Sequence, residues 1–505
     1  MTRQFQLLAD QAFSRTAGAP LVGGNSVRLL KDGCENYPSW LEAIKSAQHW
    51  IHFETYILHE DKIGKVFAEA LCERARAGVK VRLLIDWLGN IMKTSPKFWR
   101  MLRQAGVEAR SFGYPTIDSP LGWISRDHRK SLVIDGRVAF VSGLCVGDDW
   151  TDDGHEAQRD TGVMIQGPAV ADVEAAFAES WATTGEKVPL EELPVANLIP
   201  DAGDVSMRVI ATMPSTMGVF KLDQLVASVA RETLWVTDAY FVGVSAYVNA
   251  LIAAAKDGVD VRLLVPGTVD VFGVGGMSRA GFRSLLEGGV RIFEWNGVML
   301  HAKTAVADGK WARVGSTNAN ITSWFGNWEL DVAIEDEKFG RQMMDMYERD
   351  LQNSTEVVLR SRKLFSLRGV EGLPLDSSGQ PVERRRAPRT SMADWRTRGR
   401  STRRAAAAGA IRIGRTLGAA ITKRREVGAA DAYNLFWSSL IFLAMGLLWL
   451  KWPKSIAFPL GVLAVWFAVA GLFQAWRLYR RATREAIEKT EDSREVVDTR
   501  TRRHA

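Results

Sequence analysis

At 505 residues, 47% hydrophobic and 24% charged, the chain is too long for one ordinary domain and too apolar to be disordered, so at least two core-forming units are expected. Its 65 Lys and Arg against 58 Asp and Glu leave a net charge of +7, which suits an anionic partner such as nucleic acid or acidic lipid, or simply a solvated basic surface. Three widely spaced cysteines, Cys34, Cys72 and Cys145, exclude a disulfide framework and a zinc signature and favour a reducing compartment.

The opening residues lack the long apolar run of a signal peptide, so the bulk of the chain is not expected to be exported. IHFETYI (51–57) reads as a strand, the stretch near 63–76 as a helix, VRLLID (81–86) as a strand, 97–104 as a helix and VEARSF (107–112) as a strand. SLVID and RVAFVSG add two more apolar strands. The order then repeats: AGVKVRLLI (77–85) returns as DGVDVRLLV (257–265), IHFETYI as LWVTDAYF (234–241), and AGVEARSF (105–112) as GGVRIFEW (288–295), with TAVAD and WARVGS closing the second copy. Alternating strands and helices predict an α/β fold of two duplicated sandwich lobes, 1–190 and 191–365, facing each other across a shared site.

Beyond Ser366 the composition turns to Gly, Pro, Ser and Arg, which reads as a basic linker over 366–432. Its part 403–425 suits either a basic helix on an anionic membrane surface or a flexible spacer. Two uncharged apolar runs, 433–450 and 456–476, are each about long enough to cross a bilayer and read as a transmembrane hairpin over 433–476. Lys423, Arg424 and Arg425 before it and Arg477, Arg480, Arg481 and Arg484 after it place both flanks, and the charged tail 477–505, in the cytoplasm; Lys451 and Lys454 in the turn pull the other way.

HRKSLVID (128–135) and HAKTAVAD (301–308) share one spacing, HxKxxxxD, at corresponding places in the repeat. On an extended chain residues two apart face the same way, so His128 with Lys130, and His301 with Lys303, present a base beside a cation. Two facing copies could let one imidazole attack phosphorus while the other protonates the leaving alkoxide, with the lysines on the non-bridging oxygens and no metal or other cofactor required. Asp135 and Asp308 are expected to return to the imidazoles and fix their tautomers. Ser316, Asn318 and Asn320 in GSTNAN offer hydroxyl and amide groups to phosphate oxygens, and Glu329, with Asp160 in its place in the first copy, completes the candidate substrate-binding set.

On these motifs the chain resembles the phospholipase D superfamily, and within it bacterial cardiolipin synthases, over roughly residues 20–365. The resemblance implies transfer of a phosphatidyl group from phosphatidylglycerol, through a phosphohistidine, to a second lipid alcohol (phosphatidylglycerol or phosphatidylethanolamine), with release of glycerol. It implies His128 and His301 as nucleophile and general acid, with His128 preferred for the attack, Lys130, Lys303 and Asn318 on the phosphate, and Asp135 and Asp308 supporting the histidines. Cys145 departs from the pattern, standing where the family has Asn. An extra loop before His128 carries Tyr114, Ile117, Leu121, Trp123 and Ile124, which could dip into a bilayer. Hydrolysis to phosphatidic acid uses the same groups and stays open, as does an inactive lipid-binding scaffold; two membrane spans tell against a nucleic-acid substrate. The expected setting is a bacterial inner membrane, with the lobes on its cytoplasmic side.

Overall fold

A computed structural model describes residues 3–114, 125–151, 157–214, 216–269 and 274–359, and beyond these only Leu440. The chain divides into two compact units, Met1–Ala420 and Ile421–Ala505. The expected hairpin, linker and tail therefore lie outside the described residues, as do Ile117, Leu121, Trp123 and Ile124 of the extra loop. No helix among the described residues is long and apolar enough to cross a membrane.

In chain order the first half holds α1 (Arg3–Ala17), β1 (Val22–Lys31), α2 (Asp32–Ser46), β2 (Trp50–Thr55), α3 (Lys62–Arg76), β3 (Lys80–Asp86), α4 (Trp87–Asn90), α5 (Pro96–Gln104), β4 (Glu108–Phe112), β5 (Ser131–Ile134), β6 (Val138–Ser142), β7 (Thr161–Gln166) and α6 (Val170–Ala182). The second continues with β8 (Val205–Thr212), α7 (Gly218–Val229), β9 (Thr233–Thr237), α8 (Ser245–Lys256), β10 (Asp260–Pro266), α9 (Val274–Glu287), β11 (Arg291–Trp295), β12 (Thr304–Ala307), β13 (Trp311–Gly315), α10 (Ile321–Phe325), β14 (Glu329–Glu335), α11 (Glu337–Gln352) and β15 (Ser354–Val357). All fifteen strands form one mixed sheet. From its middle it runs β1, β7, β6, β5, β2, β3, β4 one way and β8, β14, β13, β12, β9, β10, β11 the other, with β15 added at one edge. The second half thus repeats the first strand for strand.

Local chemistry explains the elements. Leu83, Leu84 and Ile85 of β3 and Leu263, Leu264 and Val265 of β10 are apolar and buried, and every residue of β13 is buried, as in strands covered on both faces; the one charge in β13, Arg313, is paired with Asp223 and Asp331. Several helices start where a side chain takes an orphan amide: Asp61 accepts from Gly64 N at the head of α3, Ser95 from Phe98 N at α5, and Asp336 from Phe339 N at α11. In the first half Tyr37, Trp40, Phe53, Phe67 and Phe140 form a buried aromatic cluster with edge-on rings. In the second, Phe220 of α7, Tyr247 of α8 and Trp324 of α10 take that place.

The halves join at β1 and β8, which pair antiparallel through an irregularity between Val22 and Asn25. Buried Asn25 plugs it: its amide donates to Val22 O at 2.8 Å and Val205 O at 3.3 Å, and its oxygen accepts from Ala169 N at 2.8 Å. This joint holds the middle of the sheet together, where strands of both halves carry the candidate site.

Candidate active site

His128 and Lys130 lie on the extended segment entering β5, and His301 and Lys303 on the one entering β12. Each segment is stitched to the other half of the protein. Asp127 bridges parallel to Trp328, with His128 N donating to Trp328 O at 2.9 Å; Leu300 bridges parallel to Arg159, with His301 N donating to Arg159 O at 2.7 Å. Trp328 and Arg159 each immediately precede an acid, Glu329 at the start of β14 and Asp160 before β7. The bridges therefore deliver each acid to the imidazole of the opposite half. Glu329 Oε2 lies 2.8 Å from His128 Nδ1, and Asp160 Oδ2 lies 2.7 Å from His301 Nδ1.

Both acids are buried and further tied down. Ser316 donates to Glu329 Oε2 at 2.6 Å and accepts from Leu330 N at 2.9 Å, while Asn327 donates to Glu329 Oε1 at 3.3 Å. Asp160 accepts from Trp150 Nε1 at 3.2 Å and from Thr161 N at 2.8 Å. A carboxylate on Nδ1 keeps the proton there and leaves Nε2 as the reactive lone pair. Asp160 and Glu329, expected to hold substrate, are thus the histidines' partners. Ser316, also expected on the phosphate, has its hydroxyl committed to Glu329 and the backbone.

Asp135 and Asp308 do not return to the imidazoles, which corrects the expectation. An extended chain rises about 3.3 Å per residue, so the seven residues from His to Asp carry the carboxylate some ~20 Å away, to the far end of the strand. There each begins a tight turn with positive φ, Asp135 at 52° before Gly136 at 63°, and Asp308 at 52° before Gly309 at 62°. Asp135 accepts from Gln48, His49 and Trp50 amides at 2.7–2.8 Å, and Asp308 from Arg231, Glu232 and Thr233 amides. The Asp-Gly pairs at 135–136 and 308–309 are the hairpin-turn signal that could have revealed this role. Asn320 is likewise a structural residue: it accepts from Ser323 N at 3.0 Å to cap α10 and donates to Tyr240 O at 3.0 Å. Asn318 is buried and its amide oxygen meets no partner among the described residues. Cys145 is buried in the first-half core.

Two aromatic residues inside the repeat were not singled out. The Tyr56 ring sits 5.1 Å from His128 and 5.3 Å under the Lys130 ammonium; Tyr240 sits 5.9 Å from His301 and 5.8 Å under that of Lys303. Both follow an acid in the repeated strand pattern, and that recurrence was the available signal. Lys130 also donates to His128 O and Lys303 to His301 O, with Lys303 Nζ 2.9 Å from His301 Nδ1.

Burial governs the electrostatics. It holds the His301 pKa down at about 4, helped by Lys303 and opposed by Asp160, and it lowers His128 against the pull of Glu329. The same desolvation brings Lys303 down to about 8. It pushes Asp160 and Glu329 up, yet the paired imidazole, a lysine and a further hydrogen bond together outweigh it: His301, Lys303 and Thr161 N for Asp160, and His128, Lys130 and Ser316 for Glu329, so both carboxyls lie below their ordinary range. Lys303 is felt at His128 and Lys130 at His301, so the two half-sites act as one centre. Two neutral imidazoles with free Nε2 atoms beside two cations can take a phosphoryl group and pass a proton.

The family model for the cardiolipin synthase, phospholipase D-like domain matches residues 40–181 and 226–351. The cardiolipin synthases of Alkalihalophilus pseudofirmus and Halalkalibacterium halodurans are each 33% identical to the chain, over 359 and 362 residues. These matches cover 68% and 70% of this chain and 70% and 71% of the two relatives. The crystal structure of the phosphatidylserine synthase of Haemophilus influenzae superposes with a TM-score of 0.55 at 13% identity, covering 69% of this chain and 91% of that one, a likeness of fold alone.

Proposed function

Because the chain belongs to the cardiolipin synthase family with a phospholipase D-like domain, and so to the phosphatidyltransferase enzymes, we propose that it moves a phosphatidyl group from phosphatidylglycerol to the hydroxyl of a second lipid, releasing glycerol. The observation that carries this reading is the crossed pairing of each imidazole Nδ1 with a carboxylate from the other half.

In the order preferred from the sequence, Nε2 of His128 attacks phosphorus, the bond from phosphorus to the glycerol oxygen breaks, and His301 gives that oxygen its proton. The phosphate drawn in beside His301 raises its depressed pKa and so favours the protonated form the step needs. In the return half, the acceptor hydroxyl yields its proton to His301 and its oxygen bonds to phosphorus as the bond to His128 breaks. Lys130, Lys303 and Asn318 neutralise and hydrogen-bond the phosphate oxygens through both halves. Asp160 and Glu329 hold the rings and stabilise the imidazolium.

The hairpin over 433–476 would anchor the catalytic lobes, 1–190 and 191–365, on the cytoplasmic side of the membrane in which donor and acceptor lie. Retention of the full-length chain in membranes after an alkaline carbonate wash is the expected outcome, and release would remove the anchor.

The decisive experiment supplies phosphatidylglycerol labelled in its phosphate, alone and with phosphatidylethanolamine, to the full chain and to H128A and H301A. Cardiolipin plus glycerol from the native chain, acid-labile label retained on H301A, and none on H128A are expected. Label on H128A instead would exchange the two roles. Phosphatidic acid as sole product would make the enzyme a hydrolase.

A further inference from the structure

Arg126 lies two residues before His128, so the extended segment puts Arg126, His128 and Lys130 in one row, about 7 Å apart along the chain. Its side chain is 9% exposed and anchored at one corner only, with Nη1 donating to Asp86 Oδ1 at 3.1 Å. Nε and Nη2 are buried and meet no hydrogen-bond partner among the described residues. A buried guanidinium with two idle donors is costly unless something completes it, and two donors on one fork match two oxygens of a phosphate. Its charge is felt at the Tyr56 hydroxyl, whose ring packs on His128, so the fork sits on the reacting centre's doorstep.

The second half has no equivalent. Counted from the paired histidines, Met299 stands where Arg126 does, and Pro266 stands where β3 carries Asp86. The asymmetry matches an asymmetry in the proposed reaction. Donor and product share a phosphodiester at the paired imidazoles, but only the product-forming half brings a second one, the acceptor's own, joined through a glycerol bridge. From this geometry we infer that Arg126 binds the phosphodiester of the acceptor lipid and sets the preference for a phospholipid alcohol over a phosphate-free one. The inference rests on the phosphatidyl-transfer reading given above.

The test measures two rates on the full-length protein with phosphatidylglycerol: incorporation of labelled free glycerol into the lipid, whose entering alcohol carries no phosphate, and formation of cardiolipin. In R126M the ratio of cardiolipin formation to glycerol exchange should fall by about tenfold or more, through a raised KM for the acceptor, and R126K should fall between the two. Because R126M leaves Asp86 buried without its counter-ion, held by backbone amides alone, the double variant D86N/R126M is measured beside it and should show the same fall. A ratio within about twofold of the native value in all three variants would overturn the assignment and leave Arg126 as an ion-pair partner of Asp86. If the native chain performs neither reaction, it is the phosphatidyl-transfer reading that fails, and the role of Arg126 with it.

Discussion

Reactivity in this site depends on which nitrogen of each imidazole carries the proton. Asp160 and Glu329 decide that, each from the half opposite its histidine. D160N and E329Q should keep the fold yet lower kcat on the order of a thousandfold, because an amide neither fixes the tautomer nor stabilises the imidazolium; steady-state cardiolipin formation with circular dichroism as the folding control checks this. A second consequence follows from Lys303, which burial brings down to about 8. It is a cation below that pH and loses its charge as pH rises through it, so kcat/KM should decline above pH about 8, and K303R, which stays charged, should hold its smaller activity flat across the same range.

At the level of elements, the repeated motif performs two tasks at opposite ends of one strand. In the proposed reaction its histidine and lysine serve the chemistry, while its aspartate closes the hairpin and collects three amides of the neighbouring segment. D135A should therefore cost about 2–3 kcal/mol of stability, from lost charge-assisted hydrogen bonds and a strained positive φ, with kcat lowered far less than by E329Q; thermal unfolding beside turnover separates the two effects. Arg159 is the counterpart tie on the acid side. It reaches Asp350 of α11 at 2.8 Å and Asp32 of α2 at 3.2 Å, and so holds the segment that presents Asp160 to His301. The strands and the two HxKxxxxD copies were legible in the sequence because short apolar runs and exact spacing are local properties. The aspartates' role was legible too, in the Asp-Gly pairs, but the analogy with a hydrolase triad overrode that turn chemistry.

For the molecule as a whole, one continuous sheet makes the two halves interdependent. Every proposed proton relay crosses between them, so neither half holds a complete imidazole–carboxylate pair of its own. An equimolar mixture of H128A and H301A should accordingly show no cardiolipin formation above the sum of the separate variants, since the two imidazoles meet within one chain; recovery of activity would point to a site shared between chains.

By itself the sequence determined the α/β class, the internal duplication and the four residues of the paired HxK motifs, all of which are written in spacing along the chain. Only the tertiary structure decided the partners: that Glu329 belongs to His128 and Asp160 to His301, that the Ser316 hydroxyl is bonded to Glu329, and that Arg126 is buried with donors to spare. Those contacts join residues separated by as many as 201 positions, through parallel bridges that leave no periodic trace in either segment. Spacing can name the groups that face one way on a strand, but which group of another strand they meet is set by how the halves pack.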